Sequence, residues 1–567
     1  MGRRQKKSAR NPPDLEMRAA VQCFQEGKLA KADTICKCIL RHNPSFTAAL
    51  ALRGIIAIEA GDSNTAVKYF REAIAIEPEN GDLHHKYSKV LYKKGKIEEA
   101  TRHCRKATKL NPHNAFAWLD LGGTLAIQGK TEEALQAYRM AVKIKPDLSH
   151  AEYNIGLLLG EQRNYQMAIG HYRRAVELQP DHAGAWNNLS SILRITGQYE
   201  EAIGCCKKAL QLNPGFENTH MNIGLTLQEQ GRLEYVLPHY ERALELAPDY
   251  AGAHFNRAVW YLLQGNFARG WEEFEWRWQL DDLKRYQRRF TQPEWDGTPG
   301  DGRTILVYTE QGLGDTFQFI RYVPLLAQKG FSVIIQCDLR VREILASITG
   351  AAQIIALDES PPPFDVYAAL MSLPRLFGTE LASIPAQVPY LHVDTEHVEH
   401  WKSRIGETDG LKVGICWRGN PDHRNDINRS IDVEYFAGVA RLPGIRLFSI
   451  QKPLSEQDAG NLPGSGAIVE LGSQLDSGPD KFLDTAAVMQ HLDLVITVDT
   501  SVAHIAGALA RPVWLLLPYV PDWRWMLERE DSPWYPTMRL FRQQTFGDWS
   551  SVFVQVEAAL AEFREKY

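Results

Sequence analysis

The chain has 567 residues, of which 44% are hydrophobic and 23% are charged, and its formal net charge is −5. A chain of this length exceeds what a single hydrophobic core supports, so two or more domains are expected. The small net charge gives no basis for a nucleic-acid partner, and the sequence contains no run of about 18 apolar residues of the kind that spans a membrane.

The amino terminus and the cysteines both predict a cytoplasmic protein. Residues 1–15 open with several basic side chains and no apolar segment, so we interpret them as a disordered basic tail and not as a secretory signal. The 8 cysteines lack the spacing of a zinc or redox motif and are predicted to be reduced thiols. No metal site and no resident cofactor are expected.

Residues 16–280 are dominated by a repeat of 34 residues. Proline recurs with this period at Pro44, Pro78, Pro112, Pro146, Pro180, Pro214 and Pro248. Glycine keeps the same period at Gly27, Gly61, Gly95, Gly129, Gly197, Gly231 and Gly265, with Arg163 in the missing slot. Glycine permits the tight turn of a helical hairpin, a small residue five positions later lets the two helices approach, and proline ends the second helix. The pattern resembles the tetratricopeptide repeat and predicts an α-solenoid with a concave surface that binds protein or peptide.

A column of asparagines follows the same period. Asn154, Asn188, Asn222 and Asn256 lie 34 residues apart on the first helix of successive repeats. The column resembles one that lines the repeats of the O-linked N-acetylglucosamine transferases and holds peptide backbone there. An amide both donates and accepts hydrogen bonds, so it suits a peptide of any sequence. The alternative is that these residues are ordinary solvated polar positions.

The repeats end in a tryptophan-rich segment. Trp271, Trp276 and Trp278 follow the start of an eighth motif, and we interpret them as a cap that seals the repeats and docks the next domain. A ligand-stacking site is the less favoured alternative, since aromatic residues at helical spacing usually form core. Residues 281–301 contain charges, proline and glycine and are predicted to be a linker.

From residue 302 onward, apolar β-rich runs alternate with helical segments. This alternation predicts parallel sheets with crossover helices, arranged as two Rossmann-like lobes at residues 302–395 and 410–567. The predicted strands are Thr304–Tyr308, Phe331–Cys337, Lys412–Trp417, Arg446–Ile450, Leu494–Val498 and Pro512–Leu517. Ligands of such sheets bind where strands end, so the loops at those ends are the candidate sites.

The first loop, residues 309–315, directly follows the opening strand. Gly312 and Gly314 would let backbone N–H groups approach a substrate, and Asp315 would be placed to act as a general base. The alternative for Asp315 is that it only caps the helix that follows.

Two further loops lie in the second lobe. The second loop, residues 417–430, contains Asn420, His423 and Arg429, and its arginine suits a phosphate; a solvated surface loop is the alternative. The third loop, residues 499–504, contains the candidates Asp499, Thr500, Ser501 and His504. It combines hydroxyl groups with a helix start, which favours a diphosphate, although a lone histidine there is more often structural.

Together the three loops resemble those of glycosyltransferase family 9, which includes the lipopolysaccharide heptosyltransferases. The resemblance implies a GT-B-like domain that binds a nucleotide-sugar as co-substrate, needs no metal and inverts the anomeric centre. It assigns the catalytic base to Asp315, and donor contacts to Arg429 and the third loop, with Asn420 and His423 nearby. Gly312 and Gly314 are donor-binding candidates because of the backbone approach that they allow. Ser501 departs from the glycine that the family usually has. A similar comparison with the O-linked N-acetylglucosamine transferases adds Lys452 as a donor contact.

Two other functions compete with this interpretation. The chain would be a non-catalytic interaction scaffold if the family 9 domain were degenerate. It would be a lipopolysaccharide heptosyltransferase in the strict sense if its acceptor were a lipid core sugar, but a long repeat array suits a protein or peptide acceptor better. The aromatic segments 523–525 and 534–536 would frame a ligand or, as we favour, pack against the last helix of the chain.

Overall fold

A computed structural model describes residues 12–407, 410–421, 423, 425–452, 458, 461, 468–478 and 481–565. The chain divides into two compact units, Met1–Asn222 and Ile223–Tyr567. None of the helices in these described parts is long and apolar enough to cross a bilayer.

The first unit consists of antiparallel helix pairs. Its helices are α1 (Pro12–Gln25), α2 (Leu29–His42), α3 (Thr47–Glu59), α4 (Ser63–Ile76), α5 (Gly81–Lys93), α6 (Ile97–Leu110), α7 (Ala115–Ile127), α8 (Thr131–Ile144), α9 (Ser149–Glu161), α10 (Tyr165–Leu178), α11 (Ala183–Ile195) and α12 (Tyr199–Leu212), followed by α13 (Glu217–Glu229) at the boundary. The α-solenoid predicted from the period of 34 residues is confirmed.

The glycine column of the repeats has a backbone cause. Each of its seven glycines, Gly27 through Gly265, has a φ between 70° and 77°. Arg163, which occupies the missing slot, has a φ of 59°. The turn between paired helices therefore requires the left-handed conformation, which glycine adopts without steric cost and other residues adopt only at a cost.

Helix α1 begins at Pro12, inside the segment predicted to be a disordered tail. Proline is favoured in the first turn of a helix, because its missing N–H would have no partner there. Residues 1–11 of the predicted tail lie outside the described residues.

The second unit starts with the end of the repeat array. It contains α14 (Val236–Leu246), α15 (Ala251–Leu263) and α16 (Phe267–Phe274), followed by a 3₁₀ turn at Glu275–Gln279. The side chains of Phe267, Trp271 and Phe274 belong to one hydrophobic core with residues of both α/β lobes. The last repeat is therefore part of the α/β unit, and the predicted boundary near residue 280 does not separate two cores.

The segment predicted to be a linker is packed against the first lobe. Within residues 281–301, α17 (Asp281–Lys284) forms a single turn, and Glu294 forms a parallel bridge with Tyr367. The side chain of Trp295 is 3% exposed and packs on Phe331 and Phe377. Burial of a tryptophan outweighs the local signals for a loop that the charges, proline and glycine provide.

The first lobe is a parallel sheet of four strands. These are β1 (Thr304–Tyr308), β2 (Ser332–Cys337), β3 (Ala351–Ala356) and β4 (Val366–Ala369), in the order β3-β2-β1-β4. Its helices are α18 (Leu313–Phe319), α19 (Val323–Gln328), α20 (Arg342–Leu345) and α21 (Leu373–Leu376). Helix α22 (Thr395–Ile405) then leads to the second lobe. Asp394 caps this helix, and its side chain accepts a hydrogen bond from the His397 N–H at 2.9 Å.

The second lobe is a parallel sheet of six strands. These are β5 (Leu411–Cys416), β6 (Ile445–Ser449), β7 (Ile468–Glu470), β8 (Leu494–Val498), β9 (Val513–Leu517) and β10 (Met538–Arg542), in the order β10-β9-β8-β5-β6-β7. Its helices are α23 (Asp426–Arg429), α24 (Ala437–Ala440), α25 (Leu483–Gln490), α26 (Ser501–Ala508) and α27 (Trp549–Glu565). This is the doubly wound Rossmann order, so the predicted α/β class is confirmed.

Candidate functional site

The second and third loops meet where the strand order of the second sheet reverses. Strands β5 and β8 are neighbours, with Cys416 opposite Thr497, although about half of the lobe lies between them in sequence. The chain leaves them on opposite sides of the sheet, which opens a crevice beyond their carboxyl ends. The second loop follows β5 and the third follows β8, so the fold brings two of the three candidate loops together.

Arg429 joins these two loops. Its Nη1 donates a hydrogen bond to the Asp499 carbonyl oxygen at 2.8 Å, and its Nε lies 3.3 Å from an Asp426 carboxylate oxygen. A Cβ added to Gly419 would lie 2.5 Å from Nη2 of Arg429, so the absent side chain leaves the space that the guanidinium fills. The arginine is thereby held beside the residues that begin α26, where the N-terminus of a helix favours an anion.

The third loop carries a carboxyl with a shifted pKa. Burial, together with the negative charge of Asp522, raises the pKa of Asp499 to about 6, and the positive charges of Arg429 and Arg524 oppose this shift. The Thr500 hydroxyl caps α26 by accepting a hydrogen bond from the Val502 N–H at 3.3 Å.

The first loop contacts the third loop across the two lobes. A Cβ on Gly314 would lie 3.0 Å from Cδ2 of His504 and 3.6 Å from the Ser501 Cα. Asp315 accepts a hydrogen bond from the Gly312 N–H at 2.9 Å and forms an ion pair with Arg524. Burial raises the pKa of Asp315, while the Arg524 charge acts in the opposite direction. Asp315 therefore caps the start of its helix, as the alternative interpretation predicts, and it also lies at the junction of the two lobes.

Other candidates lie in less accessible or more peripheral positions. The His504 ring is 5% exposed, its Nδ1 lies 3.0 Å from the Tyr535 hydroxyl, and burial holds its pKa well below the usual range. Asn420 and His423 are exposed in the second loop, where the His423 N–H donates to the Asn420 carbonyl at 3.0 Å.

Lys452 is engaged within the second lobe, and its role as a donor contact stays a prediction. Its ammonium group forms an ion pair with Asp476, whose side chain is 1% exposed, and donates to the Lys481 carbonyl at 2.9 Å. The Asp476 carboxylate also accepts hydrogen bonds from the Asp484 and Thr485 N–H groups at 2.8 and 3.2 Å, so several groups compensate its burial. The neighbouring Gln451 reaches the site, accepting hydrogen bonds from the Trp417 and Arg418 N–H groups at 3.1 and 2.9 Å.

The asparagine column is only partly available to a ligand. Asn154, Asn188 and Asn256 are partly exposed, and the Asn188 amide donates to the Tyr153 hydroxyl at 3.0 Å. Asn222 is 4% exposed, and its amide donates to the Asn187 side chain at 3.0 Å. Asn222 is therefore a buried hydrogen-bonding residue, which contradicts its assignment to an open peptide surface.

Sequence reasoning missed two contributors to the site. Arg524 lies in an aromatic segment that was expected to pack against the last helix, but Trp523 and Trp534 pack on Phe319 of the first lobe. The second contributor is Arg277, which forms a buried ion pair with Glu310 of the first loop, at 2.9 Å between Nη2 and Oε1. Neither Arg277 nor Arg524 belongs to a recognised motif. The one signal that could have indicated them is that each lies between two tryptophans. Within the described ranges, no group of three or more His, Cys, Asp or Glu side chains is arranged to hold a metal ion.

Comparison with known proteins agrees with this division of the chain. Models of the tetratricopeptide repeat match residues 57–103, 88–149, 153–215 and 221–274. The model of glycosyltransferase family 9 (heptosyltransferase) matches residues 477–517, which contain β8, the third loop and β9. The N-terminal part is thus a tetratricopeptide-repeat array, and the C-terminal part carries a segment related to family 9. Both resemblances found in the sequence are confirmed at this level.

Individual relatives cover only part of the chain. Protein FlbA of Caulobacter vibrioides is 27% identical over 334 residues, which are 54% of this chain and 54% of FlbA, so the chain spans about half the length of this curated relative. YrrB, a tetratricopeptide-repeat protein with an unusual peptide-binding site, is 22% identical over 33% of this chain and 97% of its own, with a TM-score of 0.31. PilF of Pseudomonas aeruginosa is 18% identical over 36% of this chain and 94% of its own, with a TM-score of 0.35.

Proposed function

We propose that this protein is an inverting glycosyltransferase that moves a sugar from a nucleotide-sugar donor to a protein or peptide acceptor bound by the repeats. The observation that carries the proposal is the position of Arg429. Its guanidinium contacts the third loop at the switch point of a doubly wound sheet, next to a helix start, in the crevice where such sheets bind nucleotides.

The residues of the site supply the parts of a single displacement. Asp315 would accept the proton of the acceptor hydroxyl as its oxygen bonds to the anomeric carbon of the sugar. The bond from that carbon to the donor diphosphate would break at the same time, and the nucleoside diphosphate would leave. Arg429 and the N–H groups at the start of α26 would stabilise the charge on the leaving group, which is the role that a metal ion fills elsewhere. Metal independence is therefore part of the proposal.

The raised pKa of Asp315 agrees with its proposed role. A general base works best when its pKa approaches the working pH, and burial shifts the pKa of this carboxyl in that direction. Asp315 lies on the first lobe, opposite the proposed donor site on the second, as a displacement between two bound substrates requires. Its ion pair with Arg524 must open before it accepts a proton.

The acceptor side of the proposal rests on the repeats. Asn154 and Asn188 are partly exposed at matching positions of consecutive repeats, where their amides would bind peptide backbone. Replacing both by alanine is expected to reduce transfer to a protein acceptor without changing donor affinity. Asn222→Ala is the control for a purely structural effect. Because the Asn222 side chain is buried, this substitution should lower the stability of the fold. Unchanged transfer in the double variant would remove the basis for peptide binding by the column.

The first experiment is calorimetric titration of a panel of nucleoside diphosphates and nucleotide-sugars, with and without EDTA. We expect one nucleotide to bind in both conditions, and Arg429→Ala to weaken its binding. Arg539→Ala is a matched control, because this arginine is half exposed on β10. Binding that disappears with EDTA would contradict metal independence. No binding by any nucleotide would refute the enzyme proposal.

A non-catalytic scaffold is the second candidate function. It is favoured by two observations: the pairing of Asp315 with Arg524 and the burial of His504. In that case the repeats alone would be functional, and their ligands would bind equally well to a variant that lacks Arg429. The cytoplasmic location stays a prediction.

A further inference from the structure

Arg524 lies at the junction of the two lobes and none of the motifs assigns it a function. Its side chain is 8% exposed, and each of the three guanidinium nitrogens contacts another side chain. Nε donates to the Gln318 side chain at 2.6 Å, Nη1 donates to Asp522 at 2.8 Å, and Nη2 pairs with Asp315. Two of these three contacts cross from the second lobe to the first.

The contact with Asp315 differs in kind from the other two. Asp522 lies two residues from Arg524 and also caps the same 3₁₀ turn by accepting a hydrogen bond from the Arg524 N–H at 3.0 Å. Gln318 is neutral. The only charge that Arg524 meets across the lobes in these three contacts is therefore that of the proposed catalytic base, and the ion pair neutralises this carboxylate.

The partner of this guanidinium, Asp315, follows Gly314, where a Cβ would lie 3.6 Å from the Ser501 Cα at the start of α26. The positive charge of Arg524 lowers the pKa of Asp499, as does that of Arg429. Asp499 provides the carbonyl that Arg429 contacts at the start of α26. Arg429 thus contacts the residue that precedes this helix start, and Arg524 is paired with the base that the reaction needs. Phosphate oxygens bind guanidinium groups through strong paired hydrogen bonds.

The backbone next to both partners is strained. Met526 and Glu528, just after Arg524, have φ values of 53°, and Gln311, just before the Asp315 helix, has a φ of 60°. Left-handed conformations cost a non-glycine residue about 1–2 kcal/mol. Such strain clusters at sites that switch between arrangements. The segment is nonetheless anchored, since Arg542 donates to the carbonyl oxygens of Met526 and Arg529 at 2.9 and 2.8 Å.

We propose that Arg524 is a second donor-binding arginine, which exchanges Asp315 for the donor diphosphate when the nucleotide-sugar binds. This inference rests on the proposed function. The exchange places positive charge on the leaving group and frees the base in one movement, so Asp315 becomes available only when a donor is present.

The exchange makes Asp315 a competitor of the donor, and this has a measurable consequence. Asp315→Asn removes the competing charge, while the amide oxygen still accepts the Gly312 N–H. We expect this variant to bind the nucleoside diphosphate about five- to tenfold more tightly than the wild type, although it would lack transferase activity. A purely structural ion pair would give unchanged or weaker binding.

The complementary variant is Arg524→Met. It is expected to weaken binding of the same nucleoside diphosphate by about 10- to 100-fold, comparable to Arg429→Met, because it removes one of two arginines from the phosphates. Arg539→Met is the matched control and should bind like the wild type. Asp315→Asn keeps the experiment decisive if Arg524→Met does not fold, since asparagine is nearly isosteric with aspartate.

The outcomes separate this inference from the proposed function. If neither the wild type nor Asp315→Asn binds any nucleoside diphosphate, the proposed function fails, and this inference fails with it. If binding occurs and depends on Arg429, but Asp315→Asn does not tighten it and Arg524→Met does not weaken it, only the exchange by Arg524 is refuted.

Discussion

Gly419→Ala tests the proposed donor site without removing any charged group. A Cβ at this position would lie 2.5 Å from Nη2, 2.8 Å from Cζ and 3.0 Å from Nε of Arg429. All three atoms belong to the far end of a flexible side chain. The guanidinium should therefore move away while the backbone stays in place, and the hydrogen bond to the Asp499 carbonyl should be lost. The expected cost in folding stability is small.

The expected loss of nucleotide affinity is that of one contact between the Arg429 guanidinium and a donor phosphate, because the displaced guanidinium would no longer lie at the proposed donor site. A hydrogen bond to a charged group contributes about 1.5–3 kcal/mol. Each 1.4 kcal/mol corresponds to a tenfold change in Kd, so the displacement should weaken binding of the nucleoside diphosphate by about 10- to 100-fold. Arg429→Met sets the upper limit, because it removes the guanidinium entirely.

Calorimetry with the same nucleotide measures the effect, and Gly478→Ala is the matched control. A Cβ at Gly478, in the same lobe, would meet nothing within 4 Å, so this variant should bind like the wild type. The reasoning is refuted if Gly419→Ala keeps full affinity while Arg429→Met loses it. The position of the guanidinium over Gly419 would then be irrelevant to binding.

Three further predictions concern stability. In helix α7, Gly122→Ala should destabilise the repeats by about 1–3 kcal/mol, because its Cβ would lie 2.5 Å from a tyrosine ring, whereas Gly123→Ala should stabilise them by up to about 1 kcal/mol. Arg277→Met should cost about 3–5 kcal/mol, since it leaves Glu310 buried without its cation. Because the pKa of Asp499 is raised to about 6, from about 3.9 in an unfolded chain, its contribution to stability should fall as pH rises from about 4 to about 6.

Urea denaturation measures all three effects, each against its own control. Equal effects of alanine at the two adjacent glycines would contradict the packing argument. For the buried ion pair, Arg173→Met is the control, since Arg173 and Glu201 form an exposed pair whose loss should cost less than about 1 kcal/mol. For the pH dependence, Asp499→Asn should remove the decline between pH 4 and 6, and an unchanged profile would contradict the raised pKa.

The sequence predicted the repeats well because their signals are local and recur. The turn glycines and the terminating prolines act within a few residues, and the same two signals recur in successive repeats. Strands β1 and β8 were also predicted at their observed bounds, since a parallel strand buried on both faces is a continuous apolar run. Strands β3, β4, β7 and β10 were missed because they are short or carry polar residues, such as Gln353 in β3.

Errors arose where distant contacts override local composition. Trp295 packs a segment that has the composition of a linker. The burial of Asn222 depends on Asn187, a residue that the column of asparagines does not contain. The pairing of Lys452 with Asp476 is likewise a contact that nothing near either residue in sequence indicates.

The amino-acid sequence by itself determined the period of the helix pairs, the α/β class of the rest and the three loops that follow strands. These features depend on backbone conformation and on the burial of short segments, which neighbouring residues control. Only the tertiary structure decided that Arg429 contacts Asp499 and that Arg524 pairs with Asp315. Those pairs join residues 70 and 209 positions apart. The order of the strands and the packing of the two lobes bring them together, and no local pattern encodes either one.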